Sequence, residues 1–185
     1  MPSGREKMAE EKKELWLNYL ALATVVLAVC ATLSTFKGGS YSTRSVLAQS
    51  QAANQWAYYQ SKSLKGYLYE IQKETLESDL QEKGTSMSAT GLEDLKRRIE
   101  TYGKRMAKYD SEKSEIMKEA RKFEQTRDDA QRHSGIFGIA VIFLQIAILL
   151  SSVAALLKKK PVWYLGLVIG TVGVIYFVDG FLLFF

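Results

Sequence analysis

The fold of this chain is organised by residues 92–157, LEDLKRRIETYGKRMAKYDSEKSEIMKEARKFEQTRDDAQRHSGIFGIAVIFLQIAILLSSVAALL. Their first part repeats apolar or small residues at alternating spacings of three and four, and no proline interrupts them. The repeated positions are Leu92, Leu95, Ile99, Tyr102, Met106, Tyr109, Lys113, Ile116, Ala120, Phe123, Arg127, Ala130, Ser134 and Phe137. A sustained heptad of this kind is typical of a coiled-coil seam, so the stretch predicts one continuous helix. From about Gly135 the polar face disappears, which predicts that the same helix then crosses a membrane.

Three segments are almost free of charge and long enough to cross a hydrocarbon core of ~30 Å. They cover residues 15–36, 135–157 and 162–185, and a polar tail of residues 1–14 precedes the first. Trp16 and Tyr19 open the first segment, and Trp163 and Tyr164 open the third. Aromatic side chains are enriched at membrane interfaces, so the sequence predicts an all-α membrane protein with three transmembrane helices.

Residues 37–134 are polar and predict a long antiparallel helical hairpin outside the membrane, between the first two spans. Its arms would be residues 45–83 and 92–134, about 58 and 65 Å long at the rise of an α-helix. The sequence KGGSYS at residues 37–42 predicts a break before the first arm, because each glycine costs about 1 kcal/mol in a helix interior. Gly84 would end that arm, and a capping box from Thr90 to Glu93 would begin the second.

The first arm carries apolar groups on more than one face. One stripe at helical spacing comprises Ala53, Ala57, Leu64, Leu68, Ile71 and Thr75, and several aromatic residues lie beside it. Such a helix usually touches more than one partner, so a neighbouring subunit could pack here in addition to the heptad helix. A single thick core within one chain explains the same pattern, and both interpretations stay open.

Small residues recur at helix-packing spacing in the second and third spans. They are Gly166, Gly170, Gly173 and Gly180, with Ala147, Ser151 and Ala155. Small side chains allow the backbones of membrane helices to approach closely, so these positions are predicted to pack helix against helix.

Two polar residues fall inside the predicted spans, Gln145 and Asp179. A carboxylate within a membrane is expensive and is a functional-site hypothesis by default. The rise per residue of a helix places Asp179 near the far membrane interface, at the end of the third span. Lys37, Arg132 and His133 lie beside the ends of the other two spans and should lie at a similar depth. The sequence predicts that one of these groups, or an interfacial water, satisfies Asp179. A structural ion pair and a proton or ion pathway are the two interpretations.

Composition and motifs exclude several function classes. The net charge of +5 arises from 25 basic and 20 acidic residues, and the basic ones do not cluster into a nucleic-acid surface. His133 is the single histidine and has no metal-ligand spacing around it. No nucleophile elbow, phosphate-binding loop or dinucleotide-binding pattern occurs. We therefore predict no catalytic residue, no cofactor and no metal.

The run QAANQWAYYQSKSLKGYLYE at residues 51–70 resembles the membrane proteins of domain of unknown function family 4337. One span before this run and two after it extend the resemblance to about residues 15–185. The resemblance implies a bacterial three-span protein with a helical middle region, and it implies no activity. It also implies a characteristic motif on the first arm, which we predict to be an interface. The motif is formed by Trp56, Tyr58, Tyr59, Gln60, Lys62 and Lys65.

Three spans place the N-terminus and the Lys158–Lys160 turn on one side of the membrane, and the hairpin on the other. Short basic loops stay in the cytoplasm, so the hairpin is predicted to be periplasmic at a bacterial inner membrane. The predicted function is a homo-oligomeric structural or scaffolding protein, with the lipid bilayer as a partner and a possible protein partner bound through the hairpin. The alternative is a small channel or a transporter accessory subunit.

Overall fold

The computed structural model describes residues 4–184, with side chains from residue 15 onward. Within that range three helices account for nearly every residue: α1 is Gly4–Lys83, α2 is Ala89–Leu157 and α3 is Lys160–Leu182. None of the residues described there forms a strand. The predicted all-α fold is confirmed. The side chains of the predicted tail at residues 1–14, and Phe185, lie outside the described part.

The chain divides into two compact units. One unit comprises residues 1–45 and 128–185, and the other comprises residues 46–127. Helices α1 and α2 each contribute to both units, whereas α3 belongs only to the first.

The predicted continuity of residues 92–157 is confirmed, because α2 runs without interruption from Ala89 to Leu157. Every heptad position is buried or half-buried, while most residues between them are exposed. Ala120 and Phe137 have no accessible surface at all. The heptad therefore marks the face of α2 that packs against the rest of the protein.

The predicted break at residues 37–42 is wrong, because α1 continues through both glycines. Neither glycine has a positive φ. A side chain at Gly38 would place its Cβ 3.1 Å from the Cβ of Phe137. Ser134 Oγ also donates a hydrogen bond of 3.0 Å to the Gly38 carbonyl. These contacts with α2 offset the low helix propensity of glycine, so Gly38 permits close packing and does not end the helix.

The connection between α1 and α2 lies within a few residues of its predicted position. Helix α1 ends at Lys83, as Gly84 predicted. Helix α2 begins earlier than the predicted capping box, and Ser88 accepts a hydrogen bond from the Gly91 N–H through its Oγ at 3.3 Å. Ser88 therefore caps α2 in place of Thr90, and both residues are typical helix caps.

All three helices are long and apolar enough to cross a membrane. In their most apolar windows only 22–28% of the residues are buried, so most of their apolar side chains face outward. Two buried clusters join the helices, one of Leu27, Ala31, Leu144 and Ala147, the other of Trp16, Leu20 and Ala154. Helices that are apolar on all sides are suited to a lipid surround.

In the second unit, polar contacts join α1 to α2 along their length. The pairs are Gln49 with Arg127, Gln55 with Glu119, Lys62 with Glu112 and Tyr69 with Arg105. The residue number falls on α2 as it rises on α1, which is the order expected of antiparallel neighbours.

The close approach of α3 to α2 predicts a stability difference between two glycines. A Cβ at Gly173 would lie 2.8 Å from Leu144 Cγ and 3.0 Å from its backbone nitrogen, whereas a Cβ at Gly138 would meet nothing within 4 Å. We expect Gly173→Ala to destabilise the protein by about 1–3 kcal/mol through overpacking. Gly138→Ala should be neutral or stabilising, because alanine is the better helix former.

Reversible unfolding of the whole protein in mixed detergent micelles measures the free energy of unfolding of both variants. Equal unfolding free energies for Gly173→Ala and Gly138→Ala would contradict the packing described.

Candidate functional site

The C-terminal end of α3 is built around Asp179, which is only 2% exposed. Its Oδ1 accepts a hydrogen bond of 2.5 Å from the Phe184 N–H, and its carbonyl accepts one of 2.7 Å from the Leu183 N–H. Leu183 has a φ of 52°, a left-handed conformation that ends the helix. Asp179 therefore satisfies two backbone donors just beyond the end of its own helix.

His133 completes the same helix end from α2. Its Nδ1 lies 2.8 Å from the carbonyl oxygen of Gly180. The last carbonyls of a helix have no partner within the helix, so a histidine N–H supplies one that the helix itself lacks. Tyr41 of α1 stacks on the His133 ring at a centroid distance of 4.4 Å and thereby orients it.

Aromatic rings pack beneath these polar groups. Phe137 is fully buried and meets Phe181 edge to face at a centroid distance of 5.0 Å. A Cβ at Gly180 would lie 2.8 Å from the Phe137 ring, so only glycine leaves room for that ring. Lys37 Nζ lies 5.9 Å from the centroid of the Phe181 ring. The three helices of this unit thus meet in one cluster that contains a carboxylate, an imidazole and a nearby ammonium.

Two of the three groups predicted to lie near Asp179 contact its neighbours. His133 contacts Gly180 and Lys37 lies over Phe181, whereas Arg132 is exposed. The backbone donors from Leu183 and Phe184 were not anticipated, because nothing in the sequence marks the turn that brings them back. An ion pair of Asp179 with Lys37, Arg132 or His133 stays a prediction.

The second unit contains a polar contact at the middle of its helix pair. Lys62 Nζ lies 2.6 Å from Glu112 Oε2, and the two side chains are 16% and 32% exposed. The same ammonium lies 5.2 Å from the ring centroid of Tyr58 and 5.4 Å from that of Tyr109. The hydrogen bond to Glu112 raises the pKa of Lys62, with a contribution from Tyr58, and the hydrogen bond to Lys62 lowers the pKa of Glu112. Aromatic rings and a carboxylate thus hold one cation between the helices.

Other aromatic residues of the first arm also reach across to α2. Trp56 Nε1 donates a hydrogen bond of 2.9 Å to Glu124, and Tyr69 accepts one of 2.6 Å from Arg105. Tyr69 also stacks on Tyr109 at 5.7 Å. Glu124 and Arg105 were not predicted as partners, because charged residues that flank heptad positions ordinarily face solvent. Tyr109 is itself a heptad position, so its packing was predicted, but the ring that it meets was not.

The motif implied by the resemblance divides between two faces. Trp56, Tyr59 and Lys62 are half-buried, whereas Gln60 and Lys65 are exposed and Tyr58 is 50% exposed. The motif therefore joins α1 to α2 through one face and leaves the other face open.

The predicted packing residues lie as follows. A Cβ at Gly166 would meet Leu150 and Ala147 at 3.2 and 3.3 Å, and one at Gly170 would meet Leu27 and Ala147 at 3.1 and 3.2 Å. Ser151 and Ala147 are fully buried, and Ala155 packs against the Trp16 cluster. Gln145, in contrast, is exposed, so it points away from the three-helix packing.

The side chains described here include no group of three histidine, cysteine, aspartate or glutamate residues that could hold a metal ion.

The fold defines an all-α protein with three helices that could cross a membrane. The chain belongs to the family described as domain of unknown function (DUF4337), which matches residues 16–183. The resemblance found in residues 51–70 is confirmed. No curated protein and no solved structure matches the chain.

The contact between Lys62 and Glu112 predicts a pH-dependent stability. Glu112 has a lowered pKa, so its contribution exists above the ordinary value of 4.5 and is lost as pH falls through the folded value. Lys62 has a raised pKa, so its contribution exists below the ordinary value of 10.5 and is lost as pH rises through the folded value. We expect Glu112→Gln to lower the thermal unfolding midpoint most between these limits and least beyond them.

Glu115→Gln is the matched control, because Glu115 forms an exposed contact with Lys118 on the same helix. Its midpoint should follow the wild-type pH profile. A Glu112→Gln profile parallel to wild type at every pH would contradict the assignment.

The hydrogen bond of the Asp179 side chain predicts that two substitutions at this position differ in their effect on stability. Asp179→Leu removes the acceptor of the Phe184 N–H, and we expect a loss of about 1–3 kcal/mol of stability in detergent. Asp179→Asn keeps a side-chain oxygen for that bond, so the loss should be smaller. If the two losses were equal, the negative charge itself would be what the site requires, as in an ion pair.

Proposed function

We propose that the chain is a three-span protein of a bacterial inner membrane, whose helical hairpin lies outside the bilayer and joins copies of the protein into a scaffold. Three apolar helices of sufficient length support the spans. Lys158 and Lys159 connect α2 to α3, Lys160 is the first residue of α3, and all three are exposed. By the positive-inside rule that connection and the N-terminus would be cytoplasmic, and the hairpin would be periplasmic.

The observation that carries the proposal is an exposed apolar stripe on the first arm. Leu64, Leu68 and Ile71 are 62%, 55% and 60% exposed, although they follow one another at spacings of four and three. The predicted stripe, which also contains Ala53, Ala57 and Thr75, is exposed along its whole length. Exposed leucine and isoleucine side chains that lie together on one face of a helix outside the membrane favour a protein–protein contact.

The contact with α2 does not use this stripe. Trp56, Lys62 and Tyr69 reach α2 from the opposite side of α1, together with Ala48 and Ala52, which are each 2% exposed. The first arm therefore has two faces at coiled-coil spacing, and among the side chains that the structure describes only one of these faces is covered. The open alternative of a single internal core does not explain the exposed face.

A second copy of the chain is the simplest occupant. A stripe with spacings of three and four can pack against its own symmetry mate, because each copy presents the same knobs and holes. Tyr67 flanks the stripe and is 60% exposed. Tyrosine is enriched among interface anchors, which supports a buried contact in the assembly.

Gln145 supports association within the bilayer as well. It lies in the middle of the second predicted span and is exposed. A polar side chain on the outward face of a membrane helix gains a hydrogen bond when it meets another copy. The same exposure supports the second candidate function, a small channel with Gln145 facing a lumen.

Polar substitution of the stripe tests the scaffold. We expect Leu64→Gln with Leu68→Gln to shift the native mass of the whole protein in detergent to smaller species. A loss of at least ten-fold in association is expected, because each buried leucine contributes more than 1.4 kcal/mol.

Met87→Gln with Ala107→Gln is the control, since both residues are exposed outside the stripe. An oligomer that survives the stripe substitutions unchanged would refute the hairpin contact. Ion flux in liposomes separates the two functions. Flux through the wild type that Gln145→Leu abolishes would favour the channel.

A further inference from the structure

A groove runs between α1 and α3 on the outer surface of the three-helix unit. Its volume is about 560 Å³, and the residues of α3 that line it extend from Trp163 to Val174. On α1 the lining includes Tyr19, Ala23 and Val26. With the exception of Tyr19 and Thr171, the lining groups are apolar or are glycine. Gly170 on α3 and Ala23 on α1 are among the lining residues with the smallest side chains.

The groove has the length of one leaflet. The eleven-residue interval from Trp163 to Val174 corresponds to about 16 Å of helix rise. That is about half of a ~30 Å hydrocarbon core. Trp163 and Tyr19 stand at its beginning, as interfacial aromatics do. An acyl chain that enters at the interface would therefore fill the groove to about the bilayer midplane.

Positive charge lies at the mouth of the groove. Lys160 Nζ is 5.9 Å from the centroid of the Trp16 ring, and that ring is 6.1 Å from the ring of Trp163. Lys158 and Lys159 precede Lys160 and are exposed. The lysine turn is thus one aromatic ring away from the groove lining.

The backbone adds to this positive potential. Helix α3 begins at Lys160, has no side-chain cap and has no acidic residue in its first turn. The free N–H groups of a helix N-terminus favour an anion.

We propose that this groove binds one anionic phospholipid, with an acyl chain between α1 and α3 and the phosphate at Lys158–Lys160. The inference rests on the membrane placement of the proposed function and is independent of the hairpin contact. Charge complementarity decides the occupant. A helix of a second copy would fill the apolar groove but would have no need of three lysines at its mouth.

Tryptophan quenching by brominated lipid tests the proposal with the full-length chain in phosphatidylcholine vesicles. Phosphatidylglycerol with brominated acyl chains is compared with brominated phosphatidylcholine at the same mole fraction. We expect stronger quenching by the phosphatidylglycerol. Each Lys→Gln substitution at positions 158–160 should lower this preference about five-fold, the factor expected for one cation near an anionic surface. The corresponding Lys→Arg variants should retain it.

Filling the groove provides a second test. Thr171→Phe places a ring in the groove and should remove the preference, whereas Val168→Phe lies on α3 outside the lining and should not. Equal quenching by the two brominated lipids in the wild type would overturn the lipid site alone. Equal quenching together with loss of the oligomer in Thr171→Phe would assign the groove to a second copy. No quenching by either lipid would refute the membrane placement, and the proposal with it.

Discussion

The close approach of α3 to α2 is the constraint on which the first unit depends. Gly173 and Gly180 let Leu144 and Phe137 occupy the space that a Cβ would require. Leu144 and Phe137 are consequently buried completely. Where water is absent, association of helices depends on such van der Waals packing, because lipid tails are as apolar as leucine. A third glycine of α3, Gly170, packs against Leu27 and Ala147 and also lines the groove between α1 and α3.

The polar groups of the two units are held by different means. At the end of α3, Asp179 and His133 satisfy backbone groups that the helix leaves unpaired. Between α1 and α2, Lys62 and Glu112 satisfy each other beside two tyrosine rings. The first arrangement fixes a chain end, and the second fixes the register of two helices. The contact between Lys62 and Glu112 does not use the apolar stripe of the first arm, whose Leu64, Leu68 and Ile71 are exposed.

Several features could be predicted because they depend on local rules. The period of the heptad identified the buried face of α2, and the absence of proline predicted its continuity. Gly84 predicted the end of α1. The predicted helix break at Gly38 and Gly39 was wrong because helix propensity has a weak effect on the fold. The contacts of Gly38 with Ser134 and Phe137 outweigh the low propensity of glycine. The partners of Trp56, Lys62 and Tyr69 on α2 could not be predicted, since they depend on the register between two helices.

The sequence by itself determined the helical class, the three apolar segments and the family, because periodicity, hydropathy and the motif at residues 51–70 are properties of consecutive residues. Only the tertiary structure decided which face of the first arm stays exposed, which donors meet Asp179 and where a groove remains. Those features depend on contacts between residues far apart in the chain. A heptad specifies that a face is apolar, but it does not specify which neighbour will cover it. For residues 92–157 the sequence predicted both the helix and its buried face, and the structure added the partners.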